Sequence, residues 1–319
     1  MRRALQIAWP LAVAAALAAC GGSSPGGRTF ITIATGGTGG VYYPLGGALA
    51  QIYTATIPGV NASAQSTVAS VFNVQAIQQG KADVAFTQGD VATLAYEKGT
   101  EADPTPQANL RGMAVLYVNT VQIVVRRDSD VRSVADFHGR RVGVGAPASG
   151  TEVAARVVIE AHGLDYGDVG RDYLSFSEVA AQMQDRTLDG GFIVASYPVS
   201  AITDASMTVG VRLLSLDRGA VERIETAYPF FRPVVIPAGT YRDQTEEVAT
   251  IGVDNLLVCR VGLPDDLVYE MTRVLFDALP RLAETHAAAG GVDPARTPIM
   301  SIPLHPGAER YYRERGLLK

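Results

Sequence analysis

Residues 29–57 read TFITIATGGTGGVYYPLGGALAQIYTATI, a β-rich run, a glycine-dense loop and an amphipathic segment in immediate succession. Apolar and β-branched residues dominate Thr29–Ala34 and predict a strand. In Pro44–Ile57, apolar residues recur every three to four positions, which predicts a helix with one buried face. A strand that passes through a glycine loop into a helix is typical of the opening unit of an α/β fold.

The rest of the chain alternates in the same way, which indicates a mostly parallel sheet with helical crossovers. The further predicted strands are Asn61–Gln65, Ala82–Phe86, Arg141–Gly145, Tyr173–Phe176 and Gly191–Val194. The further predicted helices are Ser70–Gly80, Asp90–Glu97 with Asp90 as its cap, Glu152–His162, Glu178–Leu188, a long helix from Pro264 that Pro280 should kink or split, and Pro306–Arg315.

Two long apolar runs, Met113–Val125 and Val248–Val261, interrupt this alternation. We interpret them as the two places where the chain crosses from a first lobe to a second lobe and back. The helices that follow the second crossing then complete the first lobe. Two crossings predict a hinge and a cleft between the lobes.

The first 19 residues have the features of a secretory signal: Arg2 and Arg3, an apolar run and small residues before Cys20. The apolar run is short for a membrane span of about 20 residues. Leu17–Cys20 resembles the bacterial lipobox, which predicts that Cys20 becomes the acylated first residue, whereas a plain signal with an incidental cysteine is the alternative. The Gly- and Pro-rich segment to Arg28 then forms a tether. We therefore expect a periplasmic protein that a lipidated Cys20 anchors to a membrane.

The composition argues against several classes of protein. Twenty-seven Lys and Arg against 32 Asp and Glu give a net charge of −5, so no large basic surface is available and nucleic acid is not expected as a partner. Two cysteines cannot form a disulfide framework. Four histidines without a His-Glu-x-x-His pair argue against a zinc enzyme. No metal and no cofactor are predicted.

The loop Thr35–Pro44 is the most informative segment for function. Four glycines in five residues expose backbone N–H groups at the start of a helix, an arrangement suited to an anion. No Gly-Lys-[Ser/Thr] follows, so the loop is not a Walker loop. Tyr42 occupies the place of the third glycine in the dinucleotide fingerprint, so that motif is absent as well. We predict an anion site, with a simple tight turn as the alternative.

Three more loops rich in hydroxyls and amides follow predicted strands, at Gln65–Ser70, Thr87–Asp90 and Ala146–Thr151. In an open α/β sheet, such loops meet at the carboxyl edge, where ligands bind. Four or five charge-assisted hydrogen bonds of roughly 1.5–3 kcal/mol each could hold an organic anion at about micromolar affinity without an arginine. The predicted ligand contacts are Thr35, Gly37, Thr38, Gly39, Gly40, Tyr42, Gln65, Ser66, Thr67, Ser70, Gln88, Asp90, Pro147, Ser149, Gly150, Thr151 and Tyr197.

The sequence contains no recognisable set of catalytic residues. Ser149 lacks the first glycine of the nucleophile elbow Gly-x-Ser-x-Gly. His138 and His162 lie at predicted helix ends, where imidazole ordinarily caps the helix. We therefore do not expect an enzyme, and a secreted hydrolase that uses Ser149 is the weaker alternative.

Five segments in order resemble the TAXI family, the solute-binding proteins of tripartite ATP-independent periplasmic (TRAP) transporters. They are Thr35–Gly47, Gly80–Asp90, Tyr173–Ser177, Ile236–Tyr241 and Ile302–Tyr311, and the similarity spans the chain from Phe30 to Leu317.

The resemblance implies a two-lobe periplasmic binding protein fold of type II, an α/β fold with two mixed sheets joined by two crossover segments. The boundaries that follow are a signal peptide at 1–19, a lipidated tether at 20–28, lobe 1 at 29–117 and 254–319, and lobe 2 at 118–253. It implies a monomer that closes on a small organic anion, a dicarboxylate such as 2-oxoglutarate or a glutamate-like amino acid, and delivers it to TRAP permease subunits. A tethered ligand sensor for a signalling receptor is the alternative function.

Two departures from the family pattern leave the ligand open. Val68 and Ala69 stand where relatives have glycines, and we expect their larger apolar side chains to narrow that wall of the cleft or to exclude water from it. Ser196–Pro198 replaces a smaller segment that contains glycine, and we expect it to bring Tyr197 near the cleft.

Overall fold

The computed structural model describes residues 28–319. The predicted signal peptide and lipidated Cys20 lie outside the described residues, and so does all but the last residue of the tether.

The first unit of the fold is residues 29–98, a parallel three-stranded arrangement with helical crossovers. Its elements are β1 (Thr29–Ala34), α1 (Tyr42–Thr56), β2 (Val60–Gln65), α2 (Ser70–Gln78), β3 (Val84–Gln88) and α3 (Gly89–Lys98). Strand β1 pairs in parallel with β2 on one side and β3 on the other. This βαβαβα order agrees with the predicted strands and helices.

The two predicted crossings are long antiparallel strands at the centre of the sheet. They are β4 (Leu110–Arg126) and β10 (Val248–Arg260), and they pair with each other along most of their length. One end of β10 also pairs with β3 of the first unit. The apolar runs are thus buried strands that both parts of the sheet share.

The second unit of the fold is residues 141–236. Its elements are β5 (Arg141–Gly143), α4 (Gly150–Ala161), β6 (Gly170–Asp172), α5 (Phe176–Gln184), β7 (Gly190–Ala195), α6 (Ser200–Thr208), β8 (Val211–Leu214), α7 (Arg218–Ala227) and β9 (Phe231–Ile236). Strand β5 pairs in parallel with β6 and β7. Strand β7 pairs antiparallel with β4, and β9 pairs antiparallel with β10.

The strands form one hydrogen-bonded sheet of ten strands, with a main path of β2-β1-β3-β10-β4-β7-β5-β6. Our expectation of two separate mixed sheets is corrected on this point. Because β4 and β10 extend through both units, they connect the two sets of strands edge to edge. The mixed α/β architecture itself is confirmed.

The C-terminal helices are α8 (Asp265–Asp277), α9 (Leu279–Thr285) and α10 (Pro306–Glu314). The predicted long helix is split at Ala278, and Pro280 stands in the first turn of the second piece, where its missing N–H costs nothing. Phe276 of α8 stacks on Tyr311 of α10 with a centroid distance of 5.6 Å. The buried core that contains these aromatic rings also contains α1, so the C-terminal helices pack with the first unit.

Two local predictions were wrong. The segment Tyr173–Phe176 is not a strand, because β6 ends at Asp172 and α5 begins at Phe176. Asp90 does not cap α3, since Gln88 holds the N-cap position and Asp90 is the second residue of the helix.

Candidate functional site

A cavity of about 540 Å³ lies where the parallel strands of both units end. The loops that follow β1 and β2 form one side together with the last residue of β3, and the loops that follow β5 and β6 form the other together with the end of β7. Twelve of the seventeen predicted contacts line it: Gly37, Thr38, Gly39, Gly40, Tyr42, Ser66, Thr67, Ser70, Gln88, Ser149, Gly150 and Thr151.

Five helices begin at this cavity. The N-cap residues of α1 to α5 are Val41, Ala69, Gln88, Ser149 and Ser175, and all of them line the cavity. The first N–H groups of a helix have no partner within the helix and carry its positive dipole end. No Lys, Arg, His, Asp or Glu side chain of the described residues lines the cavity. The electrostatic character of the site therefore comes from backbone dipoles, and it favours an anion.

The glycine loop is held in place by Thr35 and fits closely against the second unit. The Thr35 hydroxyl donates to the Gln65 carbonyl oxygen at 2.7 Å. A Cβ atom placed on Gly39 would stand 2.5 Å from the hydroxyl oxygen of Ser177, so a larger residue at this position would require the Ser177 side chain to move. Gly40 lies against the ring of Phe176, where an added Cβ would be at 3.4 Å.

Direct contacts join the two units around the cavity. The Phe72 N–H donates to the Ala148 carbonyl oxygen at 3.1 Å. Gly150, at the start of α4, lies against Gln88 and Ser70 of the first unit, where an added Cβ would be within 2.8 Å of both side chains. The described conformation is therefore one in which the two sides of the cavity touch.

Buried polar groups without partners lie beneath the first-unit side of the cavity. The Asn119 amide donates to the Tyr42 hydroxyl at 2.7 Å. Within the described residues, however, Gln88 Oε1, Asn119 Oδ1 and both polar side-chain atoms of Asn255 have no hydrogen-bond partner. Unsatisfied groups of this kind are costly and need an explanation. Because Gln88 lines the cavity, a ligand group that carries an N–H or O–H, or a bound water, can supply the donor that its carbonyl lacks.

The Asp90 carboxyl lies two residues beyond Gln88, at the start of α3, and is buried. Neither of its oxygens has a hydrogen-bond partner within residues 28–319. Burial raises its pKa to about 6, against smaller lowering effects from the backbone N–H groups of Val91 and Asp90 itself. Burial likewise raises the pKa of the Tyr42 hydroxyl, which therefore stays neutral. The negative charge of ionised Asp90 lies close enough to contribute to that rise.

Five predicted contacts do not line the cavity, and each has a physical reason. Thr35 is fully buried and holds the loop from behind, while the Gln65 side chain is exposed at the end of β2. Asp90 is buried inside the start of α3. Pro147 is exposed on the outer side of its loop. Tyr197 packs against the core, and its hydroxyl contacts the Val235 carbonyl oxygen at 3.4 Å.

The sequence analysis missed the contribution of α5. Ser175, Phe176 and Ser177 line the cavity from the second unit. The Ser175 hydroxyl accepts from the Glu178 N–H, and the Ser175 N–H donates to the Glu178 carboxylate at 2.7 Å, which is a capping box. The pattern Ser175-x-x-Glu178 was the available signal for a helix start.

The apolar part of the wall was also missed, apart from Val68 and Ala69. The apolar residues that line the cavity are Val41, Val68, Ala69, Phe72, Ala146, Phe176, Val194 and Ala195. Phe72 of α2 and Phe176 of α5 face the cavity from different units. The site therefore combines backbone donors with a substantial apolar surface.

Residues 28–319 were compared with the requirements of a metal site, a reactive thiol and a membrane span. No group of three or more His, Cys, Asp or Glu side chains is placed to hold a metal ion. Cys259 is buried, and burial raises the pKa of its thiol. None of the helices in this range has both the length and the apolar character that a membrane span requires.

Comparison with known proteins assigns the chain to a family. The model described as the NMT1-like family matches residues 33–316, nearly all of the described chain. The chain belongs to the NMT1-like family. The solved structures that resemble this NMT1-like chain include a protein from Bordetella bronchiseptica RB50, with 14% identity over 91% of this chain and 98% of that one and a TM-score of 0.59.

A second similar structure is the ligand-binding component of an ABC-type import system from Staphylococcus aureus, solved with zinc bound. It shares 11% identity over 91% of this chain and 93% of that one, with a TM-score of 0.51. The alkanesulfonate-binding protein SsuA from Xanthomonas axonopodis, bound to MOPS, shares 16% identity over 90% and 84%, with a TM-score of 0.49. The structures from Bordetella bronchiseptica and Staphylococcus aureus, with TM-scores above 0.5, show that the NMT1-like chain shares the fold of such a ligand-binding component.

Proposed function

We propose that this NMT1-like protein is an extracytoplasmic solute-binding protein that captures a small organic anion for a membrane transporter. The observation that carries the proposal is the convergence of five helix N-termini on one cavity lined by no charged side chain of the described residues. Neutral donors aimed at one point stabilise an anion without neutralising it, so release stays easy. Membership of the NMT1-like family and the fold support the same function.

The transporter we propose is of the TRAP type, because the five sequence segments noted above resemble the TAXI family. The ligand classes predicted from that resemblance are a dicarboxylate such as 2-oxoglutarate and a glutamate-like amino acid. Anchoring through lipidated Cys20 would keep the monomeric protein beside its permease. Lobes at 29–117 with 254–319, and at 118–253, would open and close about β4 and β10.

No chemical step is part of the proposal. Ser149 caps α4, and its hydroxyl accepts from the Glu152 N–H at 3.2 Å. Within the described residues, no histidine, lysine or carboxylate lines the cavity to act as its base. The hydroxyl therefore serves the helix and the ligand rather than a nucleophilic attack.

A thermal-unfolding assay tests anion binding directly. The full-length protein, purified in mild detergent, is mixed with each organic anion and with the neutral amide of the same shape. A ligand present at 100 times its Kd should add about 2.7 kcal/mol to the stability. Stabilisation by anions and not by amides is expected, and no response to any anion contradicts the proposal.

A matched pair of variants locates the response. Thr151→Val removes the hydroxyl of a cavity-lining residue while keeping the shape of the side chain, and should weaken the anion response. Thr226→Val makes the same change on the exposed side of α7, where the hydroxyl bonds only to Glu222 of its own helix, and should leave the response intact. Equal effects of both variants would place the anion elsewhere.

Transport and sensing share this site, and a deletion strain separates them. Loss of uptake of the bound solute with normal induction of downstream genes supports transport. Normal uptake with lost induction supports the tethered sensor instead.

A further inference from the structure

The apolar wall of the cavity carries an inference about the ligand that rests on the proposed function. We infer that the anion has a single acidic group and an apolar body of about the size of an aromatic ring, rather than two carboxylates on a short chain. Phe72 and Phe176 are the residues that select this body.

The size of the cavity is the first argument. Its volume of about 540 Å³ lies within the roughly 300–1,000 Å³ of pockets that enclose drug-sized ligands. A compact dicarboxylate would fill a minor part of it, and waters at about 30 Å³ each would have to occupy the rest beside apolar side chains that offer them no hydrogen bonds. A ligand with a ring-sized body fills the same space without this mismatch.

The exposure of the wall is the second argument. The Val68 and Phe72 side chains remain 38% and 39% exposed, although the apolar side chains of the core are almost completely buried. The Phe176 ring lines the same cavity from the second unit and lies against the glycine loop at Gly40. An apolar group in the cavity can therefore pack on a ring from each unit, as aromatic walls of ligand pockets allow.

The distribution of charge is the third argument. The N–H groups that remain unbonded at the helix N-termini are sufficient for one anionic group, but within residues 28–319 no cationic side chain lines the cavity to hold a second. The Asp90 carboxyl lies buried near Tyr42 and makes no ion pair within that range. When Asp90 is ionised, its charge opposes a second carboxylate directed at the Tyr42 side of the cavity.

The test uses three probes of similar length and isothermal titration calorimetry on the full-length protein in mild detergent. The probes are 3-phenylpropionate, its neutral amide 3-phenylpropionamide, and glutarate. We expect 3-phenylpropionate to bind at least tenfold more tightly than either of the other two. Tighter binding of glutarate would overturn this inference and leave anion capture standing. Tighter or equal binding of the amide, or binding of none of the three, would overturn the proposed function itself.

Two variants complete the design. Phe72→Ala should lower the affinity for 3-phenylpropionate about tenfold and change the affinity for glutarate less than twofold, because only 3-phenylpropionate covers the Phe72 ring. Phe30→Ala removes a ring that is 69% exposed on β1, away from the cavity, and should change neither of the two affinities. A loss of both ligands to the same degree in a folded Phe72→Ala protein would show that Phe72 maintains the site generally, and would overturn the assignment of selectivity to it.

Discussion

The hydroxyl of Ser200 donates a hydrogen bond of 3.0 Å to the carbonyl oxygen of Gly39, which joins α6 of the second unit to the glycine loop of the first unit. Gly39 lines the cavity, so this bond is made between the two sides of the proposed site. A bond of this kind is present only when the units touch, and it therefore stabilises the closed arrangement relative to an open one.

Ser200→Ala tests this bond. Its loss should cost roughly 0.5–1.5 kcal/mol of closure, which corresponds to about two- to tenfold weaker anion binding. Thr208→Ala on the same helix is the control, since that hydroxyl bonds only within α6. Titration calorimetry measures the anion affinity of both variants. An unchanged affinity in Ser200→Ala would mean that the bond does not contribute to closure.

Gly39→Ala tests the close approach of the two units. The new methyl group would meet the Ser177 hydroxyl at 2.5 Å and the Ser177 backbone nitrogen at 3.4 Å. The Ser177 side chain must therefore rotate away, the contact between the units is disturbed, and anion affinity should fall about tenfold. Adding Ser177→Gly should restore most of the loss by removing the obstacle. Gly47→Ala in α1 is the control, because an added Cβ there has no neighbour within 4 Å and Gly47 does not line the cavity. If Ser177→Gly fails to rescue, the steric clash with Ser177 is not the cause.

The sequence predicted the two units and the central strands because their signals are local. Leu45 and Leu49 recur at helical spacing, and Pro280 marks the break between α8 and α9. Helix α7 was missed because only Ala220 and Ile224 are buried in ten residues, too sparse an apolar pattern to detect. The single continuous sheet could not be predicted, since it depends on how far β4 and β10 extend in register with both units.

The sequence indicated the polar loops that line the cavity but not its apolar wall, and ligand contact by any of these residues stays a prediction. Hydroxyls and glycines in loops such as Thr38–Gly40 indicate chemistry by their type. Phe72 stands beside the buried positions Val74 and Ile77 of α2, and nothing in the sequence distinguishes a ring that faces a cavity from one that faces bulk solvent. Tyr197 was assigned to the cleft from its place in the chain, but the direction of its side chain is set by packing with β9.

Asp90→Asn tests how much the buried Asp90 carboxyl lowers the free energy of unfolding. Burial raises its pKa in the folded protein to about 6, above the unfolded value near 3.8, so ionisation is disfavoured in the fold. Asp90 therefore destabilises the protein increasingly as the pH rises from about 4 through 6, by up to about 3 kcal/mol. Asp90→Asn should be more stable than the wild type in urea at pH 7.5 and equal to it at pH 4. Exposed Asp204→Asn is the control, and a stability gain for Asp90→Asn that is independent of pH would exclude the carboxyl charge as its cause.

Asp254→Ala tests an ionic cluster on the shared strand β10. The Asp254 carboxylate accepts from Arg232 and Arg296, each at 2.6 Å. Burial raises the Asp254 pKa, but the two guanidinium groups outweigh this effect and the pKa is lowered overall. The stabilisation should therefore be present at neutral pH and lost as the pH falls below the ordinary Asp range.

We expect Asp254→Ala to cost about 1–3 kcal/mol at pH 7, because two charge-assisted hydrogen bonds are lost in a half-buried setting. The exposed pair of Arg218 and Glu222 provides the comparison, and Glu222→Ala should cost less than about 0.5 kcal/mol. Urea unfolding of both variants measures the difference. Equal small effects would show that the Asp254 cluster is no stronger than a surface pair.

Gln88→Leu separates stability from binding. Gln88 is almost completely buried, its side-chain carbonyl has no partner within the described residues, and it lines the cavity. Replacing an unsatisfied amide with an apolar group of similar size removes a desolvation cost of about 1–3 kcal/mol, so the ligand-free protein should be as stable as the wild type or more so. Anion affinity should nevertheless fall about tenfold, because leucine removes the amide N–H group that can donate to an anion in the cavity.

Gln107→Leu is the contrast away from the cavity. Its side-chain carbonyl also lacks a partner within the described residues, but its amide donates to Asp103 and to the Thr105 carbonyl oxygen, so the same substitution there should lower stability and leave affinity unchanged. If Gln88→Leu instead destabilises the free protein without affecting the anion, the Gln88 amide serves the fold and not the ligand.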